Sequence, residues 1–104
     1  MARYDVYPNP GQNPQVPFLL DVQSDLLSVL DTRVVVPLRR LDSYPAGALP
    51  KHLSPVFEVV GIACFMETSK LAAVPLRILK SPVASLAAQH PDITAALDFL
   101  FHGY

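Results

Sequence analysis

Eleven prolines in 104 residues constrain this chain more than any other feature. Proline lacks a backbone donor and its ring clashes with the preceding helical turn, so no long-helix architecture survives such spacing. Short strands joined by turns remain. Residues 3–7 read as a first strand. Pro8-Asn9-Pro10-Gly11-Gln12-Asn13-Pro14 is a dense cluster of turn formers and reads as a loop. Residues 17–23 read as a second strand, with Phe18, Leu20 and Val22 alternating with Leu19, Asp21 and Gln23. Residues 33–38 carry Val34-Val35-Val36, a continuity that fits a central strand covered on both faces. Pro37 is expected to end it, because proline cannot donate to a ladder.

Residues 39–54 are less regular, and Tyr44-Pro45-Ala46-Gly47-Ala48-Leu49-Pro50 reads as a surface excursion. Residues 55–60 and 62–67 are two apolar runs around Gly61, a tight hairpin or a strand bent at glycine. Residues 70–73 read as a connection and residues 74–79 as another strand. The C-terminal segment differs. Pro91 suits the first helical position and Asp92 puts negative charge in the first turn. Ile93, Leu97, Leu100, Phe101 and Tyr104 then recur at helical spacing, and Gly103 is a natural stop. The expected fold is mainly β (α+β): a small antiparallel sheet or partly open barrel of five to seven strands, with a C-terminal α-helix over one face or open end.

The length allows one domain, residues 1–104, able to bury about 65 % of its unfolded surface, so a core needs neither metal nor disulfide. Apolar residues at 51 % argue against disorder, and a net charge of -1 argues against a phosphate-binding surface. Charged residues at 16 % leave little to cover the outside, which favours burial against a second copy or another protein. Cys64 is the one cysteine and lies in an apolar run, so it reads as a buried, inert thiol in a reducing compartment. The N-terminus lacks an apolar signal core, and no apolar stretch approaches the ~18 residues of a membrane span. The chain reads as cytoplasmic.

No nucleophile elbow, P-loop or dinucleotide fingerprint is present. His52, His90 and His102 have no metal-motif spacing, so neither metal nor cofactor is expected. Asp21 and Asp25 share a face if the strand extends that far, but Asp25 before Leu26-Leu27 reads better as shaping the following turn. Glu67-Thr68-Ser69-Lys70 likewise reads as a turn after a strand. The aromatic terminus is either packed back onto the sheet or a contact surface, since aromatic anchors dominate binding hot spots.

Leu20-Asp21-Val22-Gln23-Ser24-Asp25-Leu26-Leu27, followed by Arg33-Val34-Val35-Val36-Pro37-Leu38, resembles the N-terminal half of the CcdB family of bacterial toxins. Met66-Glu67-Thr68-Ser69-Lys70-Leu71-Ala72-Ala73-Val74-Pro75 resembles its central segment, and Asp92-Ile93 through Leu97, Leu100-Phe101 and Gly103 its terminal helix. The resemblance implies a CcdB/MazF-like sheet, a homodimer, no cofactor and no catalysis. It implies binding to the DNA gyrase A subunit, trapping of the gyrase–DNA cleavage complex, and release by a CcdA-like antitoxin. DNA is met only indirectly, through a toxin–antitoxin complex that represses its own operon.

Carried over by position, the gyrase contacts fall on Leu26, Leu27, Asp98, His102, Gly103 and Tyr104. The family pattern ends in tryptophan, glycine and a branched aliphatic residue where this chain has His102-Gly103-Tyr104, and Asp98 replaces an asparagine-like residue. Histidine offers less stacking area than tryptophan. Two alternatives stand beside this reading. One is an mRNA endonuclease of the MazF/Kid type, which shares the fold and would use Arg33, Asp25 and Thr68. The other is a non-toxic homologue that retains only antitoxin binding.

Overall fold

The structure, a computed structural model, describes residues 2–45, 47–50 and 52–103. Among them seven strands form an antiparallel sheet curled into a nearly closed barrel, and one α-helix follows. The strands are β1 (Asp5–Pro8), β2 (Phe18–Asp21), β3 (Thr32–Arg40), β4 (Val56–Val59), β5 (Ile62–Met66), β6 (Ala72–Pro75) and β7 (Ala84–Ser85), and the helix is α1 (His90–His102). Their order is β4-β5-β3-β2-β1-β7, with β6 also paired to β3. The mainly-β sheet with a terminal helix agrees with the sequence expectation.

β3 is central, as the valine run implies, but it does not end at Pro37. It continues to Arg40, with β2 on one side and, on the other, β6 along Thr32 to Val35 and then β5 along Leu38 to Arg40. Pro37 lies between those two partners. Its carbonyl accepts from the Glu67 backbone N–H at 3.0 Å, on the β5–β6 side. In an antiparallel strand the N–H points the same way as the carbonyl, so the donor proline lacks would have faced the gap rather than β2.

The alternation expected in β2 is absent, because Phe18, Leu19, Leu20 and Asp21 are all buried. The sheet is covered on both sides there. Val6, Phe18, Leu20, Val22, Val36 and Leu38 join the larger core, to which α1 contributes Ile93 and Ala96. Tyr7, Leu19, Val35 and Leu79 form a smaller one on the other face. Cys64 sits in the larger core, where burial pushes its thiol up. The strand expected over residues 74–79 runs instead from Ala72 to Pro75 and gives way to a 3₁₀ turn at Leu76–Ile78. The connection expected over residues 70–73 thus holds the end of one 3₁₀ turn (Thr68–Lys70) and the start of β6.

The hairpin expected around Gly61 forms. Val59 pairs with Ile62, leaving a two-residue loop in which Val60 (φ 51°) and Gly61 (φ 78°) both have positive φ. That is the pattern of a type I′ turn, and a β-branched residue is strained there. Val60→Asn is therefore expected to stabilise the fold by about 1 kcal/mol, raising the thermal midpoint by roughly 4–8 °C. An unchanged or lower midpoint would show that Val60 carries no strain.

α1 begins at His90, so Pro91 falls one place after the expected first position, within the first turn where its missing donor is harmless. Gly103 closes the helix in the left-handed conformation (φ 78°), and its N–H donates to the Phe99 carbonyl at 2.9 Å.

Candidate functional site

β2 leaves the sheet at Asp21, and residues 22–31 cross to β3. Asp21 is paired with Val35, which makes Arg33 its diagonal neighbour on the same face. Both are buried. Arg33 Nε donates to Asp21 Oδ2 at 2.9 Å, and Arg33 Nη2 donates to Asp21 Oδ1 at 2.9 Å and to the Gln23 carbonyl at 3.2 Å. Burial pushes the Asp21 carboxyl above the usual aspartate range, while Arg33 and the Gln23 N–H pull it back. Beside this pair the Tyr7 hydroxyl is buried with no hydrogen-bond partner among the described residues, and burial raises its pKa.

Each polar residue of the Asp-Val-Gln-Ser-Asp string braces the turn that follows. The Gln23 side-chain amide donates to the Leu27 carbonyl at 3.2 Å, and its oxygen accepts from the Val34 N–H at 3.0 Å. Ser24 Oγ accepts from the Leu26 N–H and caps the 3₁₀ turn Asp25–Leu27. Asp25 accepts from the Arg3 N–H at 2.8 Å and lies 3.6 Å from Arg33. Arg3 Nε in turn donates to the Val22 carbonyl at 3.0 Å. Asp25 therefore shapes the turn as expected, but it sits beyond the strand. Asp21 is committed to Arg33, so the two carboxylates do not form an acid–base pair.

What this bracing holds out is apolar. Leu26 is 91 % exposed, Leu27 47 %, Val29 90 % and Leu30 45 %. Their backbone is tied by Leu27 N–H to the Ser24 carbonyl, Ser28 to Asp25 and Leu30 to Leu27, at 3.0 to 3.2 Å. On α1, Asp98, His102 and Gly103 are exposed and Phe101 is 65 % exposed, while Leu97 and Leu100 are half-buried. Asp98 and His102 are four residues apart and share a face of the helix. Tyr104 lies outside the described residues. Of the expected contact residues, the structure thus groups Leu26 with Leu27 on the turn, and Asp98 with His102 and Gly103 at the helix end.

The ribonuclease alternative fares differently. Arg33 is 1 % exposed and spent on Asp21, so it presents no cation to a phosphate. Thr68 is buried and its hydroxyl donates to the Leu53 carbonyl. Glu67 is the N-cap residue of the 3₁₀ turn Thr68–Lys70 expected after the strand and lies 3.5 Å from Lys70 at its end.

A cleft of about 640 Å³ lies between Leu49, Pro50, His52, Ser54 and Pro55 on one side and α1 on the other, with the His52 ring tilted against Phe99 at 5.7 Å. Ser54, His52 and Asp92 all line it, and among the described residues no hydrogen bond joins the three. Sequence reasoning found neither this cleft nor the Arg33–Asp21 pair. The signal for the pair was a charged residue at each end of two runs otherwise apolar enough to be core.

Fold and surface define a small β-sheet protein that offers apolar side chains to solvent on a braced turn. The sequence matches the family model described as CcdB protein over residues 3–103. The chain belongs to the CcdB family, and at that level it is a toxin of the toxin–antitoxin kind.

Proposed function

We propose that this protein is a gyrase poison. Two copies associate about a two-fold axis, and the dimer binds the DNA gyrase A subunit through Leu26, Leu27, Asp98, His102, Gly103 and Tyr104 of each copy. It makes and breaks no bond itself. By binding the open, DNA-cleaved state more tightly than the resealed one, it shifts gyrase toward that state. A CcdA-like antitoxin, partly disordered when free, folds onto the toxin and releases gyrase, and the two together repress their operon. The site of action is the cytoplasm.

The observation that carries this reading is Leu26, almost wholly exposed on a turn with a hydrogen-bonded backbone. A rigid apolar group in water is a standing cost to a lone subunit, and a binding partner recovers it with little ordering entropy. The burial of Arg33 speaks for this reading over RNA cleavage.

Purified protein added to gyrase from its own host should convert supercoiled plasmid to linear DNA at micromolar toxin. Absence of linear product would remove the poison reading. If the adjacent antitoxin still binds tightly in that case, the protein is a homologue that retains antitoxin binding alone. Sequence-specific cuts in labelled RNA would instead establish the ribonuclease.

A further inference from the structure

We infer that Val29 and Leu30 belong to the surface that grips the gyrase A subunit, inserting into an apolar recess with basic edges beside the one that receives Leu26 and Leu27. This rests on the gyrase reading above and extends it to two residues that the contact set carried over from the family does not include.

Val29 and Leu30 follow the 3₁₀ turn, where polar turn formers ordinarily sit. Two large aliphatic residues there break the local rule, and such breaks concentrate at functional sites. Neither belongs to either core cluster, and Val29 is as exposed as Leu26. Among the described residues, neither core accounts for them. The Leu30 N–H donates to the Leu27 carbonyl at 3.1 Å, which ties this pair to the braced turn and makes the four side chains one continuous surface.

The charges around the surface describe its occupant. Residues 26–30 carry none, but Asp25 and Asp31 bracket them. Asp31 is exposed, and among the described residues its carboxylate makes no ion pair; only its carbonyl is used, accepting from the Leu76 N–H at 2.8 Å. An apolar surface with acidic ends complements an apolar recess edged by Arg or Lys, as a DNA-handling protein offers. A second copy meeting this surface across a two-fold axis would bring the same acidic ends together.

The test compares Val29→Ser, Leu30→Ser and the double variant with Leu26→Ser and with Val83→Ser, an exposed valine elsewhere. Each is titrated against gyrase and supercoiled plasmid for linear DNA, and against the gyrase A subunit alone for binding. Denaturant melts and sedimentation accompany each. Val29→Ser and Leu30→Ser should each weaken both readouts about tenfold, and the double variant about a hundredfold. Val83→Ser should match wild type, with melts and sedimentation unchanged throughout. Wild-type potency in both single variants and the double, with Leu26→Ser impaired, would overturn the inference and leave the gyrase reading standing. A shifted monomer–dimer equilibrium in place of lost gyrase binding would overturn it too, as a contact between copies. Wild-type protein that neither binds gyrase A nor yields linear DNA would end both.

Discussion

Deleting residues 102–104 should abolish growth arrest on induction in a bacterial host while leaving a folded protein. The helical side chains that build the core, Ile93 and Ala96, lie well upstream, and His102 and Gly103 are exposed. Among what the fold loses is the Gly103 closure, whose N–H donates to the Phe99 carbonyl and whose loss costs on the order of 1 kcal/mol. The proposed contact loses its terminal anchors. Removing hot-spot groups of that kind weakens a complex by roughly 2 kcal/mol or more, about thirtyfold in affinity. Circular dichroism and sedimentation should match the full chain. An unfolded truncation would place those residues in the fold and away from any target.

The second large effect concerns the buried ion pair. Arg33→Met should destabilise the protein by about 3–5 kcal/mol at pH 7, because it leaves the buried Asp21 charge unpaired, and Asp21→Asn by less, because Asp25 stays 3.6 Å from Arg33. The two breaks differ in their response to acid. In Arg33→Met the stranded group is the Asp21 carboxyl, which can take up a proton. Burial already raises its pKa, and loss of the guanidinium raises it further. A folded-state pKa above the unfolded value contributes stability that is full below the unfolded pKa and lost as pH rises through the folded one. Arg33→Met should therefore regain stability between pH 7 and pH 5, relative to wild type. In Asp21→Asn no buried carboxyl is left at that position to take up a proton, so that variant should gain nothing. Urea melts of both variants at the two pH values check this. Equal behaviour would mean that water reaches the pair.

Much of the architecture was legible because it rests on local chemistry. Pro91, Asp92 and Gly103 bracket the helix, Gly61 makes the tight hairpin, and the valine run makes the central strand. What escaped depends on register. Whether Pro37 ends a strand turns on which neighbour its missing donor would face, and that is decided by where β6 gives way to β5. Pro75 does end its strand, against Thr32 at the start of β3. The alternation of β2 misled because a second, smaller core covers the face expected to be wet. At the site, the Asp-Val-Gln-Ser-Asp string was legible as a family mark, but its physical work was not. Seeing that Gln23 holds Leu27, or that Arg33 is core rather than an available cation, requires knowing that residues 21 and 33 are diagonal neighbours. No sequence expectation singled out Val29 and Leu30, because an aliphatic residue after a turn is indistinguishable from core until its exposure is known.

The bracing of that turn from below has a consequence for genetics. A screen for harmless variants would return two interleaved classes of hit between residues 21 and 33. Substitutions at Leu26 would spare the yield of soluble protein, whereas those at Asp21, Gln23 or Arg33 would let the presenting turn sag and lower that yield. A map of inactivating changes drawn without measuring abundance would credit the target with touching side chains that never see solvent.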